Sequence, residues 1–314
     1  MKYGFGIDLG GTTVKLAYFD ENGNMLDKWE IPTDTSEDGK NILSDIAASV
    51  ESYLVKNNIP REDIIGLGIG VPGPVSSDGV VHTCINLGWG VLNIEQALRE
   101  KTGFAAKAGN DATVAALGEY WVGGGKGYNN MVMVTLGTGV GGGIIVEGKL
   151  LNGAHGAGGE IGHMTLNRNE TLRCNCGKYG CVEQYCSATG VVRTAKRHLE
   201  KTDAPSCLRD VENLSCKDVF DAGAKGDAVA AEILDMVYYN LAEFLGNLCV
   251  TVDPDVVVIG GGVSKAGTPL LDGIRKYLPQ HQIYATRNVE LSLATLGNDA
   301  GAYGACKLIL DAAK

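Results

Sequence analysis

The amino-acid sequence predicts an α/β fold, and three observations carry this prediction. Strand-like and helix-like segments alternate along the chain, apolar strand-like runs end in glycine-rich turns, and the 314 residues include 45 glycines, about twice the average share. Hydrophobic residues make up 45% and charged residues 20%, an ordinary balance for a globular protein. The length predicts two domains, because one hydrophobic core rarely organises so long a chain.

The first half of the chain is predicted to begin with a buried strand over 3–9. Two further strands over 14–20 and 25–31 form a hairpin around a polar turn. Ile42, Ile46, Val50 and Leu54 recur at helical spacing and predict a helix. The remaining elements predicted in this half are a strand over 64–70, a helix over 93–103, a strand over 105–109 and a helix over 111–121.

The second half repeats the opening pattern, since residues 131–148 read as a strand, a glycine turn and a second strand. A shift of 127 positions places IDLGGT over VTLGTG, so that Gly10 falls on Gly137. The match is short, and it predicts two related halves. After a polar loop at 201–217, the predicted elements are a helix over 229–248, a strand entering a glycine turn over 255–267, a helix over 268–278, a strand over 289–294 and a helix over 298–313.

Charge and hydropathy exclude several classes of protein. With 27 basic and 37 acidic residues the net charge is −10, which disfavours binding to nucleic acids. Asp8 and its neighbouring glycines interrupt the apolar core that a signal peptide needs, and no apolar run is long enough to span a bilayer. We therefore expect a soluble, cytoplasmic protein, in which clustered cysteines indicate metal binding or catalysis more often than disulfides.

Three glycine turns follow predicted strands, at 8–13, 136–141 and 259–264. The stretch GTGVGG matches the dinucleotide fingerprint GxGxxG, but GIIVEG after it is typical of a strand, whereas that fingerprint requires a helix. Glycine allows backbone N–H groups to approach phosphate, and Asp8 beside the first turn can hold Mg²⁺. Any one turn alone is more simply a hairpin or a helix cap; three of them favour phosphate binding.

The stretch CNCGKYGC places Cys174, Cys176 and Cys181 within eight residues. Three thiolates and one imidazole form a common zinc site, and His163 is the candidate fourth ligand. Inert thiols are a poor explanation for such a cluster, and a redox pair would have CxxC spacing. We interpret the six other cysteines as small hydrophobic residues, namely Cys84, Cys186, Cys207, Cys216, Cys249 and Cys306.

Asp111 lies where a predicted strand meets a predicted helix, in the stretch GND. Aspartate at such a junction commonly caps the helix. It can equally accept a proton from a substrate hydroxyl. The residues alone leave the two roles evenly matched.

The motifs DLGGTTVK, GNDA, GTGVGGG, GEIGH and CNCGKYGCVE, in this order, resemble those of ROK-family sugar kinases. The resemblance covers essentially the whole chain, and GEIGH followed by CxCGxxGC is its most specific part. It implies the ribonuclease H-like fold of actin and hexokinase, with two α/β domains flanking a cleft that closes on the sugar. It also implies a small domain over 1–113, completed by a C-terminal helix over 299–314, and a large domain over 114–298 that carries the zinc motif.

The resemblance assigns roles to residues that match the motifs of the family. Asp111 is the catalytic base, and its role as a cap becomes the weaker alternative. Sugar-binding positions are Gly73, Asn110, Asp111, Glu160, His163 and Glu183, with Asn86 a weaker candidate. ATP-binding positions are Asp8, Gly10, Gly11, Thr12, Thr13, Lys15, Gly137, Thr138 and Gly139, with the adenosine near Gly260, Gly261 and Gly262. Zinc ligands are His163, Cys174, Cys176 and Cys181, and four protein ligands make the zinc structural. His82, His155, His198 and His281 match no motif and are expected at the surface or in packing.

The activity that the resemblance implies is ATP-dependent phosphorylation of glucose to glucose 6-phosphate, with Mg²⁺ bridging the phosphates. Among ROK kinases, the chain is most similar to ATP-dependent glucokinases, since polyphosphate-dependent relatives typically lack the cysteines. Alternatives are a kinase for fructose, mannose, allose or an N-acetylhexosamine, or a sugar-sensing regulator. A regulator needs an N-terminal DNA-binding module, for which a first strand beginning at Tyr3 leaves no room. We expect a homodimer or homotetramer, and we expect metal loss to affect sugar binding more than ATP binding.

Overall fold

The structure of the chain, a computed structural model, describes residues 1–313. Its strands are β1 (Tyr3–Leu9), β2 (Thr13–Asp20), β3 (Met25–Pro32), β4 (Ile64–Val71), β5 (Val80–Val81), β6 (Leu92–Asn93), β7 (Ala105–Asn110), β8 (Met131–Leu136), β9 (Val140–Val146), β10 (Lys149–Leu150), β11 (Val256–Gly260) and β12 (Glu290–Leu293). Its α-helices are α1 (Ile42–Asn57), α2 (Ile94–Thr102), α3 (Asp111–Val122), α4 (Glu183–Cys186), α5 (Ala188–Leu199), α6 (Cys216–Ala224), α7 (Ala228–Val252), α8 (Thr268–Tyr277) and α9 (Ala300–Ala312).

Two five-stranded sheets repeat one strand order, which confirms the α/β class and supports the predicted duplication. The first has the order β3-β2-β1-β4-β7, and the second has the order β10-β9-β8-β11-β12. The turns after β1 and β8 are each closed by a backbone hydrogen bond of 3.0 Å, from the Gly10 N–H to the Thr13 carbonyl in the first and from the Gly137 N–H to the Gly139 carbonyl in the second, so the second turn is one residue tighter. Strand β9 begins at Val140, inside GTGVGG, and no helix follows the motif directly, so the dinucleotide fingerprint is excluded.

The contacts among its residues divide the chain into two units. Unit 1 comprises Met1–Gly127, Gly143–Gly159 and Leu296–Lys314, and unit 2 comprises Tyr128–Gly142 and Glu160–Thr295. The predicted helix over 299–314 corresponds to α9, and its last residue, Lys314, lies outside the described residues. The domain boundaries expected at 113/114 and 298/299 remain predictions.

Helices α4 and α5 were not predicted, and the predicted loop at 201–217 already contains the start of α6. Helix α5 has a recognisable beginning, because the Ser187 side chain accepts a hydrogen bond from the Gly190 N–H. Val191 and Ala195, buried at helical spacing, then follow. Short, half-polar helices of this kind depend on tertiary packing, so their sequence signal is weak.

Helix α9 packs against β1, β4 and α3 of unit 1 through glycines on both sides. A Cβ atom on Gly6 would lie 1.9 Å from the Ala302 carbonyl oxygen, and one on Gly68 would lie 1.7 Å from that of Ala305. On α9 itself, a Cβ on Gly304 would lie 1.6 Å from the Val114 carbonyl oxygen. The helix therefore approaches the sheet and α3 more closely than any side chain allows.

We expect Gly304→Ala to lower the free energy of unfolding by about 2 kcal/mol. Alanine favours a helix over glycine by about 1 kcal/mol, but overpacking against rigid backbone typically costs about 1–3 kcal/mol or more, and the overlap here is severe. Urea denaturation measures the change. Gly90→Ala is the matched control, because a Cβ there meets nothing within 4 Å. Equal unfolding midpoints for the two variants would contradict the close approach.

Within residues 1–313, no helix combines the length and the apolarity that crossing a bilayer requires.

Candidate active site and metal centre

In unit 1, the predicted site residues meet at one edge of the first sheet. Strands β1, β4 and β7 are parallel neighbours, with Asp8 opposite Gly70 and Val71 opposite Asn110. The carboxyl ends of these strands therefore lie side by side, where α/β sheets commonly bind ligands.

Asp8 is held at the base of the first glycine turn. Its carboxylate lies 3.6 Å from the Lys15 ammonium, and Gly301 of α9 packs so closely that a Cβ there would lie 2.7 Å from the Asp8 Cγ. Burial raises the pKa of Asp8, while the charge of Lys15 opposes this shift. A half-buried carboxylate beside an exposed glycine turn is suited to hold Mg²⁺ or its water ligands.

Asn110, and not Asp111, caps helix α3. The Asn110 Oδ1 accepts hydrogen bonds from the N–H groups of Ala112 and Thr113, at 3.0 and 3.2 Å. Asp111 is the first residue of the helix, it is exposed, and its carboxylate accepts from the adjacent Ala112 N–H at 2.8 Å. The capping role that competed with catalysis for Asp111 thus belongs to its neighbour.

The side-chain amide nitrogen of Asn110 contacts Gly73, another residue predicted to bind the sugar. Its Nδ2 donates to the Gly73 carbonyl at 3.2 Å, and Gly73 has a φ of 98°, which favours glycine. A Cβ on Gly73 would lie 3.4 Å from the Thr83 carbonyl, on the loop that also carries the exposed Asn86. Gly73, Asn110 and Asp111 therefore form one cluster.

In unit 2, the second and third glycine turns lie together. Strands β8 and β11 are parallel, with Gly260 opposite Thr135. Gly261 has a φ of 84°, and a Cβ there would lie 2.6 Å from the Leu136 carbonyl oxygen, so only glycine fits. The Cβ positions of Gly137 and Gly262 meet no atom within 4 Å, so these glycines face open space. The structure thus joins the two turns predicted to bind phosphate and adenosine.

His163, Cys174, Cys176 and Cys181 converge on one point, with their candidate ligand atoms all within 4.8 Å of one another. The Cys176 and Cys181 sulfurs are 3.6 Å apart, and the Cys174 sulfur lies 4.0 Å from His163 Nδ1. Zn–S bonds of about 2.3 Å in a tetrahedron place sulfurs about 3.8 Å apart. The four side chains therefore fit a tetrahedral zinc ion.

Backbone pairing explains why His163 joins cysteines that follow it. The Leu166 N–H donates to the Gly180 carbonyl at 2.7 Å, and the Val182 N–H donates to the Met164 carbonyl at 2.9 Å. The Lys178 ammonium donates to the His163 carbonyl at 2.9 Å. These bonds join the end of GEIGH to the end of CNCGKYGC.

Two of the three thiols are buried, and this disfavours their charged form. Burial raises the pKa of Cys174, and it raises the pKa of Cys181 to about 12. A bound cation reverses this preference, because it stabilises the thiolate directly. The donor set is therefore suited to a divalent metal more than to free ionised thiols.

Glu160 and Glu183 flank the metal cluster on different sides. The His163 Nε2 lies 3.7 Å from Glu160 Oε2, while its Nδ1 faces the cysteines. Glu183 Oε1 accepts from the Cys174 thiol at 3.6 Å, and its Oε2 accepts from the Val140 N–H at 3.1 Å. Of the three predicted sugar-binding side chains of unit 2, His163 thus belongs to the candidate metal site, and Glu160 and Glu183 each contact one of its ligands.

The histidines outside the motifs have other surroundings. His198 pairs with Glu232 at 2.8 Å, and His281 packs its ring edge-on against Tyr239. His82 and His155 are exposed. Lys178, Thr33 and Thr189 were not predicted as site residues. Each contacts a motif from another segment of the chain, and the local sequence carries no signal for such contacts.

The two sheets repeat one strand order, and a glycine turn follows β1 in the first and β8 in the second. A candidate metal centre lies beside the second turn. Together these features are those of a sugar kinase with the actin and hexokinase type of fold. The model of the ROK family matches residues 4–312. The chain belongs to the ROK family, as its motifs predicted.

Individual relatives match over nearly the full length of the chain. A glucokinase of Halalkalibacterium halodurans is 40% identical over 95% of this chain and 92% of its own. An N-acetylgalactosamine kinase of a Shewanella species is 30% identical over 97% of this chain and 96% of its own. The crystal structure of a ROK family glucokinase from Streptomyces griseus, in complex with glucose and AMPPNP, superposes with a TM-score of 0.75 at 32% identity and covers 98% of both chains.

Proposed function

We propose that this protein is an ATP-dependent hexose kinase that transfers the γ-phosphoryl group of ATP to the 6-hydroxyl of glucose, which yields glucose 6-phosphate and ADP. The observation that carries the proposal is the exposed Asp111 carboxylate at the carboxyl edge of the first sheet, in a helix that Asn110 caps. The similarity to glucokinases over nearly the whole chain supports this substrate.

Asp111 acts as the general base in this proposal. It accepts the proton of the sugar hydroxyl as that oxygen attacks the γ-phosphorus and the bond from this phosphorus to ADP breaks. The protonated carboxyl group then releases the proton to solvent. Asn110 and Gly73 are joined by a hydrogen bond, so the amide is held in one orientation toward the sugar. Glu160, His163 and Glu183 supply further carboxylate and imidazole groups, which suit the hydroxyls of a polyol.

The glycine turns bind ATP. In unit 1, Gly11, Thr12, Thr13 and Lys15 present N–H groups and side chains to phosphate, and in unit 2 Thr138 and Gly139 do the same. Gly10 and Gly137 spend their N–H groups inside the turns, and their lack of a side chain lets phosphate approach. Gly260, Gly261 and Gly262 lie beside the second turn and border the adenosine. Asp8 would hold Mg²⁺, which neutralises the charge on the transferring phosphoryl group when it is bound.

His163, Cys174, Cys176 and Cys181 would hold zinc with no position left for water, so the ion is structural. His163 Nδ1 faces the thiols and Nε2 faces away from them, toward Glu160. A metal on Nδ1 fixes the ring orientation and leaves Nε2 to carry the proton. The zinc site thereby organises sugar-binding side chains without taking part in the chemistry.

A coupled assay with ATP across a panel of hexoses tests the function. We expect the highest kcat/KM with glucose, and lower values with mannose, fructose, allose and N-acetylgalactosamine. The last sugar is included because an N-acetylgalactosamine kinase is 30% identical to this chain. A higher kcat/KM with N-acetylgalactosamine than with glucose would make that sugar the substrate. If the protein phosphorylates no sugar and forms a sequence-specific complex in a DNA gel shift, it is a regulator and not a kinase.

The proposal extends to the setting of the enzyme. We place it in the cytoplasm, where thiols remain reduced and ATP is abundant, and we expect a homodimer or homotetramer. Light scattering on the purified protein measures the oligomeric state, and a monomer at micromolar concentration would contradict that part.

A further inference from the structure

Residues 183–189, which follow the metal-binding motif, contact the second glycine turn at three points. The Val140 N–H donates to Glu183 Oε2 at 3.1 Å, and the Ala188 N–H donates to the Gly137 carbonyl at 2.8 Å. The Thr189 hydroxyl donates to the Thr138 carbonyl at 2.8 Å. Thr189 matches no motif of the sequence, so its contact is the least expected of the three.

These contacts orient the peptide groups of the turn. The carbonyl of one residue and the N–H of the next belong to one planar peptide and point in opposite directions. Fixing the Gly137 and Thr138 carbonyls toward α5 therefore directs the N–H groups of Thr138 and Gly139 away from that helix. Backbone N–H groups directed to a common open side are what a phosphate requires.

In unit 1, a threonine likewise donates hydrogen bonds to carbonyl groups of the first glycine turn. The Thr33 hydroxyl donates to the Gly10 carbonyl at 2.7 Å, and the Thr33 N–H donates to the Thr12 carbonyl at 3.0 Å. Thr33 follows β3, whereas Thr189 lies on α5, so the two threonines come from unrelated elements. The same contact arising twice indicates that the orientation of the turn carbonyls matters.

The segment that holds the second turn is continuous with the metal motif. The Cys181 N–H donates to the Gln184 side chain at 3.1 Å, and Glu183 contacts both the Cys174 thiol and the turn. A Cβ on Gly139 would lie 2.1 Å from Glu183 Oε2, so the carboxylate sits directly on the turn. Buried Glu170, on the loop before Cys174, accepts hydrogen bonds from Arg197 of α5 at 2.9 and 3.0 Å.

We propose that Thr189 is a positioning residue for the nucleotide, and that residues 183–189 transmit the order of the metal site to the ATP-binding turn. The inference rests on the proposed function in assigning ATP to the turn at 137–139. The sequence predicted a smaller effect of metal loss on ATP binding than on sugar binding, because the glycine turns lie elsewhere in the chain. The fold nevertheless brings the metal motif and the second turn into contact through Glu183.

Thr189→Val tests the positioning role, since it removes the hydroxyl and keeps the shape. We expect KM for ATP, and Kd for a non-hydrolysable ATP analogue, to rise roughly three- to tenfold, the usual worth of one hydrogen bond. KM for glucose and kcat at saturating ATP should stay within a factor of two of wild type, and the melting temperature should stay unchanged. Thr194→Val is the matched control on the same helix, and it should behave as wild type.

The outcomes separate this inference from the proposed function. An unchanged Kd for the ATP analogue in Thr189→Val, or an equal loss of ATP affinity, glucose affinity and melting temperature, would overturn the positioning role. Wild-type protein that binds the analogue but phosphorylates no sugar would refute the proposed function alone, and the analogue titration would still decide the role of Thr189. Wild-type protein that does not bind the analogue would refute both.

The transmission from the metal site is tested by chelation. Wild-type protein depleted of zinc should bind the ATP analogue more weakly, by about the factor seen for Thr189→Val. Depletion of Thr189→Val should add little, because the contact it would loosen is already absent. Depleted wild-type protein with normal analogue affinity would show that the metal site and the turn act independently.

Discussion

Asp111→Asn is expected to lower kcat by roughly 10²–10⁴-fold, which is the usual contribution of a positioned general base. The amide keeps the size of the carboxylate and can still accept a hydrogen bond from the Ala112 N–H, as the carboxylate does. It cannot accept the proton of the sugar hydroxyl. Because Asn110 caps α3, the fold should persist and glucose should still bind. Steady-state kinetics, isothermal titration with glucose and a thermal melt measure the three effects.

The matched control is Asp45→Asn, which makes the same change at an exposed aspartate in the first turn of α1. Both substitutions remove one negative charge from a helix N-terminus, so any effect through the helix dipole should appear in both. If the kcat of Asp111→Asn lies within a few-fold of the kcat of this control, Asp111 is not the general base.

Cys176→Ser is expected to remove bound zinc and to weaken glucose binding by about 10–100-fold. Serine is a poor zinc ligand, and the other three side chains alone cannot complete a tetrahedral site. Losing the metal frees the His163 ring, whose Nε2 lies 3.7 Å from Glu160, and such orienting contacts typically carry factors of about 10–100. ATP binding should weaken less, by the smaller factor that one hydrogen bond of the second turn contributes.

Elemental analysis and glucose titration measure both halves of this prediction. Cys207→Ser is the control, because Cys207 is an exposed cysteine of unit 2 outside the cluster. A Cys176→Ser protein that keeps one zinc per chain would remove Cys176 from the ligand set. A protein that loses zinc and keeps normal glucose affinity would break the proposed connection through His163.

Local patterns predicted most of the framework. The strand predicted over 3–9 is β1 (Tyr3–Leu9), and the helix predicted from Ile42, Ile46, Val50 and Leu54 is α1, where all four are buried. Such segments carry their own periodicity and end signals, which is why they can be recognised without the fold. The assembly of His163 with three cysteines was likewise foreseen, because the clustered thiols indicate a metal and the resemblance to the ROK family places the fourth ligand at this histidine.

Contacts between distant segments could not be predicted in the same way. The hydrogen bond from Thr189 to Thr138 joins residues 51 positions apart, and nothing in either local sequence specifies the other. The distinction between Asn110 and Asp111 as the helix cap was also beyond the sequence, because both residues are favourable caps and a shift of one position exchanges their roles. Tertiary structure decides such cases.

The packing of α9 has a consequence for how the chain is made. The glycines of β1 and β4 leave room for α9, a helix that the ribosome synthesises after every strand of the first sheet, so the sheet emerges before the helix that covers it. Until then an apolar face of the nascent chain stays open to water, and closing it requires bringing together residues from opposite ends of the sequence. A chain whose translation is arrested before α9 should therefore rely on chaperones, whereas a chain that includes α9 can cover the open face of the sheet.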